Sequence, residues 1–273
     1  MTPGLAHVEP PRPETTTVSI APSAAPATAR LLWRSWTWLR ELAFIAIGYT
    51  CYAWVRDQVG TATDRHDYAR AIAHGEEVVA WERHLGLFRE GAIQRAVLRT
   101  PWVMQALDTF WSYAYLLVTI AVIGWLLARH ADRFGPWRTA FFVVTIGAVV
   151  IFALFPTAPP RMLPPSYGIL DTWNAVGGVA AHDPPRLERI SDPLASMPSL
   201  HVAWSVWCSI AISSISRRRW VQAAAWAYSL LTIFAVVATG NHYFLDCVAG
   251  AALMVAGVYG AQRSGRLHPR ART

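Results

Sequence analysis

Ser196-Met197-Pro198-Ser199-Leu200-His201 and Gly240-Asn241-His242-Tyr243-Phe244-Leu245-Asp246 frame the segment on which the reading of this chain turns. Between them run an apolar helix, a turn carrying Arg217, Arg218 and Arg219, and a second apolar helix. Two histidines and a carboxylate therefore stand at the starts of two predicted membrane-length helices that a tight turn and one intervening helix bring together. His242 and Asp246 are four apart, and on a helix such residues share a face. Helical side chains lean toward the N-terminus, which carries the Asp246 carboxylate back toward the His242 ring. There it would hold one imidazole tautomer and stabilise positive charge on it. Pro198 suits a first helical position and Ser196 a cap, so the free amides after Ser199 would face an anion. The combination predicts a phosphoryl-transfer site.

Composition bounds the fold class. The chain has 273 residues, 54% of them hydrophobic and only 15% charged, with 14 Trp. That is too apolar for a soluble domain. Its basic residues are all arginine, and the net charge of +7 invites a nucleic-acid reading. The arginines, however, fall in short clusters between apolar runs, as expected of loops beside membrane helices, and no nucleic-acid partner is predicted. Cys51, Cys208 and Cys247 lie inside apolar segments and read as buried thiols rather than a disulfide frame or metal site.

Six apolar runs succeed one another: about Trp38 to Val55, Trp102 to Leu127, Trp137 to Phe155, Pro198 to Ile215, Trp220 to Ala238, and Tyr243 to Gly260. Each is near the length of about 20 residues that spans a bilayer, the first and fourth marginally so. The expectation is an all-α integral membrane protein of six transmembrane helices, comprising residues 30–262. Residues 1–29, rich in Pro, Thr and Ala, read as a disordered cytoplasmic tail, and 263–273 as a basic cytoplasmic tail. Arg129, Arg133, Arg138 and the Arg217–Arg219 turn fall on the side of the two termini. The positive-inside rule makes that side cytoplasmic and gathers Arg161, His201 and His242 on the extracytoplasmic face. Localisation to the cell membrane is the consequence, with membrane lipids as substrates; the oligomeric state is not legible.

Between the first two runs, Val78, Val79, Trp81, Leu85, Leu87, Ile93 and Val97 are spaced for an amphipathic helical segment along the membrane surface, with Gly75, Gly86 and Gly91 breaking it. An amphipathic scaffold is preferred over a substrate gate. The connection from Pro156 to Ala195 is proline-rich and long, the kind of loop that carries function; Arg161, Arg186 and Arg189 are its cations. Asp108, within the second run, is either a functional intramembrane carboxylate or a solvated charge near the span's end.

The two opening motifs resemble the second and third motifs of the type-2 phosphatidic acid phosphatase superfamily. Leu200 after Ser199, the upstream Phe155-Pro156-Thr157-Ala158-Pro159-Pro160-Arg161, and the pattern Glu82, Leu85-Gly86, Glu90, Gln94 are closest to its inositol phosphorylceramide synthase-like branch. The resemblance, which spans about Val78 to Gly260, implies His242 as nucleophile, Asp246 as its stabiliser and His201 as the proton donor to the leaving alkoxide. It also implies phosphate contacts from Arg161, Ser199 and the Leu200 amide, with Asn241 beside the nucleophile as a further candidate. Leu154 and Val236 occupy positions where the superfamily places a Lys and an Arg, so two of its three cations are missing.

The reading is therefore a lipid phosphotransferase that moves an inositol-phosphate-like head group between lipids through a phosphohistidine. A phosphatase acting on phosphatidic acid or a polyprenyl phosphate is the enzymatic alternative; a membrane binding or transport protein, with the histidines as a proton relay, is the non-enzymatic one. No cofactor and no metal are expected, since no carboxylate cluster offers itself to Mg²⁺; His201, His242 and Asp246 as zinc ligands are the minor alternative.

Overall fold

The computed structural model describes residues 65–172 and 194–263, with a few helical positions between 39 and 50. Both long stretches belong to one compact unit, Glu41–Thr273. The described elements are α1 (Arg65–His84), α2 (Glu90–Leu98), α3 (Pro101–Ala131), α4 (Arg133–Leu154), α5 (Leu200–Ile215), α6 (Arg219–Ala238) and α7 (Phe244–Arg263). Among the described residues the one β pairing is an isolated parallel bridge between Thr157 and Ala195.

Four helices are long and apolar enough to cross a membrane: α3, α4, α6 and the Phe244–Ala261 part of α7. Their outward faces carry Leu117, Ile120, Val143, Leu230 and Val248 exposed, as suits contact with lipid rather than water. The expected fourth span, Pro198 to Ile215, is the shorter helix α5, which starts only at Leu200. The expected first span lies for the most part outside the described residues, as do both predicted tails.

Sequence explains the junctions. α3 and α4 meet at a kink at His130 (φ −141, ψ 37), and Pro136 lacks an amide that would otherwise continue the hydrogen-bond ladder near the start of α4. After α5 the chain turns sharply, and the Gln222 amide donates to the Ser213 and Ser216 carbonyls, closing the last turn of α5.

Helix α5 is the centre of the bundle and packs on α6, α7 and the α3–α4 pair. Val202, Ala203, Val206, Trp207, Cys208 and Ala211 are all buried along it. Its polar groups are tied off laterally: Trp207 Nε1 donates to the Trp137 carbonyl, Trp204 Nε1 to Thr145 Oγ1, and Ser209 Oγ bonds Ser229 Oγ and the Ala225 carbonyl. Cys208 and Cys247 are buried free thiols, as read from the sequence; Cys51 lies outside the described residues.

The connection α1–α2 corrects the sequence reading in detail. Val78 and Val79 are buried against Leu163 and Tyr243, while Trp81, Leu85 and Leu87 are exposed. Gly75 and Gly91 lie inside helices rather than breaking them; at Gly75 a Cβ would meet the Tyr243 hydroxyl at 2.8 Å, so close packing explains the glycine. Only Gly86, with φ +69, ends a helix as expected. The pair covers one end of the bundle: Arg70 donates to the Leu154 carbonyl, Ala158 N to the Ala71 carbonyl, and Ile93 and Val97 pack on Leu107, Ala235 and Ala238.

Candidate active site

Under that cover, the ends of α4 and α6 meet the starts of α5 and α7. The chain leaves α6 at Thr239 and reverses at Gly240, whose φ of +72 is the left-handed geometry that helix C-termini favour in glycine. A Cβ at Gly240 would also press on Ile169 and the Gln94 amide at 3.1 and 3.2 Å. The amides of Asn241 and His242 both donate to the Val236 carbonyl, and this turn delivers His242 to the mouth of α7.

His242 itself is not helical, since α7 begins two residues later at Phe244. The expectation that His242 and Asp246 share one helical face is therefore corrected. Asp246 instead folds back as the N3 carboxylate of a capping box, with Oδ2 accepting from the Tyr243 amide at 3.0 Å. The same oxygen accepts from Ser196 Oγ at 2.5 Å and lies 3.3 Å from His242 Nδ1. Ser196 is thus not a helix cap: Ser199 caps α5, its Oγ accepting from Val202 N, and Pro198 precedes the cap instead of opening the helix.

The two helix starts touch through backbone. Ser199 N donates to the Asp246 carbonyl, and at Gly250, one turn further along α7, a Cβ would meet the Ser199 carbonyl oxygen. This approach puts His201 Nδ1 3.2 Å from His242 Nε2. With the Asp246 carboxylate accepting from Nδ1–H, Nε2 of His242 carries the lone pair, and His201 Nδ1–H donates to it. Asp246 is fully buried; its Oδ2 gathers these contacts, while its Oδ1 has no donor among the described residues. Asp246 and His201 address opposite nitrogens of the ring and do not surround a common point; among the described residues no group of three metal-ligating side chains exists.

His201 is held by aromatic rings, with Tyr115 at 4.3 Å and Trp111 at 5.7 Å between centroids. Leu200 and His201 open α5, where backbone amides lack intrahelical acceptors. Arg161 reaches the site from the turn Pro160–Met162: its amide donates to the Gly240 carbonyl, Nε donates to Asn241 Oδ1 at 2.8 Å, and Nη1 lies 3.9 Å from Asp171 Oδ2. Asp108 is not solvated. It is 1% exposed and accepts from Thr172 Oγ1 at 3.0 Å, so the solvated-charge reading is corrected. Arg186 and Arg189 lie outside the described residues. Of the two residues that replace the missing cations, Leu154 is exposed and Val236 buried.

Sequence reasoning missed Ser196 as a partner of Asp246, and it missed the supports of the α7 start. Glu82 and Glu90, both fully buried, accept from the amides of Leu245 and Phe244 at 2.8 and 3.2 Å. Tyr243 donates its hydroxyl to the Ala158 carbonyl, and Gln94 clamps both backbone groups of Leu170. The pattern Glu82, Leu85-Gly86, Glu90, Gln94 was singled out as part of the family resemblance, but nothing in it disclosed that its side chains hold the amides of α7 and the backbone of Leu170.

No curated protein and no solved structure matches the chain. The family model described as the PAP2 superfamily matches residues 76–260, which takes in the second half of α1, α2 to α6, most of α7, Arg161 and both histidine motifs. The chain belongs to the PAP2 superfamily.

Proposed function

We propose that the protein transfers a phospho-head group between membrane lipids through a phosphohistidine on His242. PAP2 superfamily membership points to lipid phosphatase or phosphotransferase chemistry. The observation that carries the reading is the His242 ring, fixed through Nδ1 by Asp246 while Nε2 stands 3.2 Å from His201 Nδ1. The Nε2 lone pair attacks phosphorus, the bond from phosphorus to the donor lipid's alkoxide breaks, and His201 supplies the proton that alkoxide takes. In the second half an acceptor hydroxyl attacks phosphorus, gives its proton to His201, and the P–N bond breaks. The phosphoryl group enters between the two nitrogens and separates them. Arg161, Ser199 and the Leu200 amide are the proposed phosphate contacts.

Transfer is favoured over hydrolysis by the charge of the site. A phosphomonoester is nearly a dianion at neutral pH, since its second pKa is about 6. Here the one proposed phosphate-binding arginine stands beside Asp171, and Leu154 and Val236 supply no charge. Such a site suits the single charge of a phosphodiester, and its apolar character suits a lipid hydroxyl over water. The resemblance to the inositol phosphorylceramide synthase-like branch points the same way, with the catalytic face extracytoplasmic.

Purified protein would be assayed on phosphatidic acid, a polyprenyl phosphate and phosphatidylinositol, with and without a lipid alcohol. The expected result is an alcohol-dependent product from the diester; rapid phosphate release from the monoesters without such a product makes the protein a phosphatase. His242→Ala should abolish turnover and any acid-labile phosphoenzyme, while His201→Ala should slow turnover yet still accumulate the adduct when the leaving group needs no proton. Activity should survive EDTA, and a requirement restored by Zn²⁺ or Mg²⁺ would sink the metal-free account.

A further inference from the structure

The start of α7, where His242 and Asp246 are set, is held from outside the bundle by two carboxyl groups of the covering connection. A helix start presents amides with no intrahelical acceptor. Here Phe244 N donates to Glu90 Oε1 at 3.2 Å and Leu245 N to Glu82 Oε1 at 2.8 Å, while Tyr243 N goes to Asp246. Three carboxyl groups therefore share one helix end, and Glu82, Glu90 and Asp246 are all fully buried.

Three buried anions side by side are unfavourable, even against a helix N-terminus that offers about half a positive charge. Neither Glu82 nor Glu90 has a cationic partner among the described residues. The Oε2 atom of each has no hydrogen-bond partner, and their Oε1 atoms hold the amides of adjacent residues, so the two carboxyl groups stand together at one helix end. A proton on one of them removes a facing charge and supplies a donor that the orphaned oxygens lack. Burial first, and then the Glu90 carboxyl beside it, push the Glu82 pKa up to about 9, against a counteracting bond from the Leu245 amide. The other titratable groups facing the pair are Asp246, Tyr243 and Cys247, with Tyr167 adjoining Tyr243.

We propose that Glu82 and Glu90, bridged by a shared proton, are positioning residues that fix the start of α7 and thereby the His242–Asp246 pair for the reaction. Loss of that proton leaves two facing anions, which separate and release one of the two amides they hold. Because the folded chain retains a proton that an unfolded glutamate gives up near its ordinary value of 4.5, the native arrangement is favoured at lower pH and loses support as pH rises toward about 9.

Glu82→Gln tests this directly. A glutamine keeps an oxygen for the Leu245 amide and presents a permanent N–H to Glu90, imitating the protonated pair. The proposal rests on the reading of His242 as nucleophile, so His242→Ala is measured alongside and reports on that reading separately. The expected result is that Glu82→Gln retains kcat near neutral pH and keeps it through pH 9 to 10, where the unmodified protein declines. Glu82→Ala should lose roughly 10- to 100-fold in kcat, the usual scale for removing a group that orients a catalytic ligand, with KM changed little. A Glu82→Gln protein as impaired as Glu82→Ala at neutral pH, or one that shares the alkaline decline of the unmodified protein, would overturn the proposal. The Gln comparison decides the matter even where the Ala variant does not fold.

Discussion

Asp246 performs three tasks with one oxygen: it caps α7 through the Tyr243 amide, accepts from Ser196 and faces His242 Nδ1. Ser196 is the partner whose loss is most informative, because its Oγ donates to Asp246 Oδ2 and lies 3.4 Å from His242 Nδ1. Ser196→Ala removes a hydrogen bond to a buried charge, an interaction of about 1.5–3 kcal/mol. The expected outcome is a kcat fall of roughly tenfold to a hundredfold with KM nearly unchanged, and recovery in Ser196→Thr. An unchanged kcat would remove Ser196 from the catalytic apparatus. That His201, His242 and Asp246 come together was legible because each motif is short and contiguous. Their geometry was not. Spacing alone suggested a shared helical face, whereas the aspartate reaches the histidine by folding back over the amides of its own helix start. That distinction depends on where α7 begins, and a two-residue offset in a helix boundary is beyond what periodicity resolves.

At the level of elements, the site exists because α5 and α7 approach closely enough for backbone to meet backbone. Gly250 makes this possible, since a Cβ there would collide with the Ser199 carbonyl oxygen. Gly250→Ala must push the starts of the two helices apart, and a misplacement of about 1 Å in a catalytic group costs on the order of 100-fold. We expect kcat to fall by about that factor while circular dichroism stays helical. Gly124→Ala, at a position with nothing within 4 Å of a Cβ, is the control that should retain activity. Equal behaviour of the two variants would show that the approach is not critical. The long apolar helices were legible from composition, because runs of that length have few other fates. The role of α1 and α2 was not, since Glu82 and Glu90 meet partners 163 and 154 residues away in sequence. A window along the chain registers them as part of a family-like pattern or as charges on a surface helix, and neither discloses the distant amides they hold.

For the molecule as a whole, the histidines, Arg161 and the covering helices lie at one end of the bundle, and the Arg217–Arg219 turn at the far end of α5. Topology predicts opposite exposure across the membrane for these ends. Single cysteines at Ser166 and Arg218, both exposed positions, would be placed in a background lacking the native cysteines and probed on intact cells with an impermeant thiol reagent. Labelling at 166 and protection at 218 are expected; the reverse pattern would invert the orientation and put the chemistry in the cytoplasm. The arginine clusters and the histidine motifs are independent features of the sequence, and the arginine pattern alone gathers the motifs on one side. The bridge at Thr157 and Ala195 bears on how such a protein diversifies. Thr157 N donates to the Leu194 carbonyl and Ser196 N to the Thr157 carbonyl, so the long connection is fastened at its base just before it hands over to Ser199 and His201. Closing a longer loop on a fixed base adds little entropy cost, about 0.6 kcal/mol for each doubling of its length. Lengthening the connection between these two points therefore costs little closure entropy, whereas Arg161, Leu163, Leu170 and Thr172 within it are each tied to Asn241, Tyr243, Gln94 or Asp108 and tolerate no such freedom.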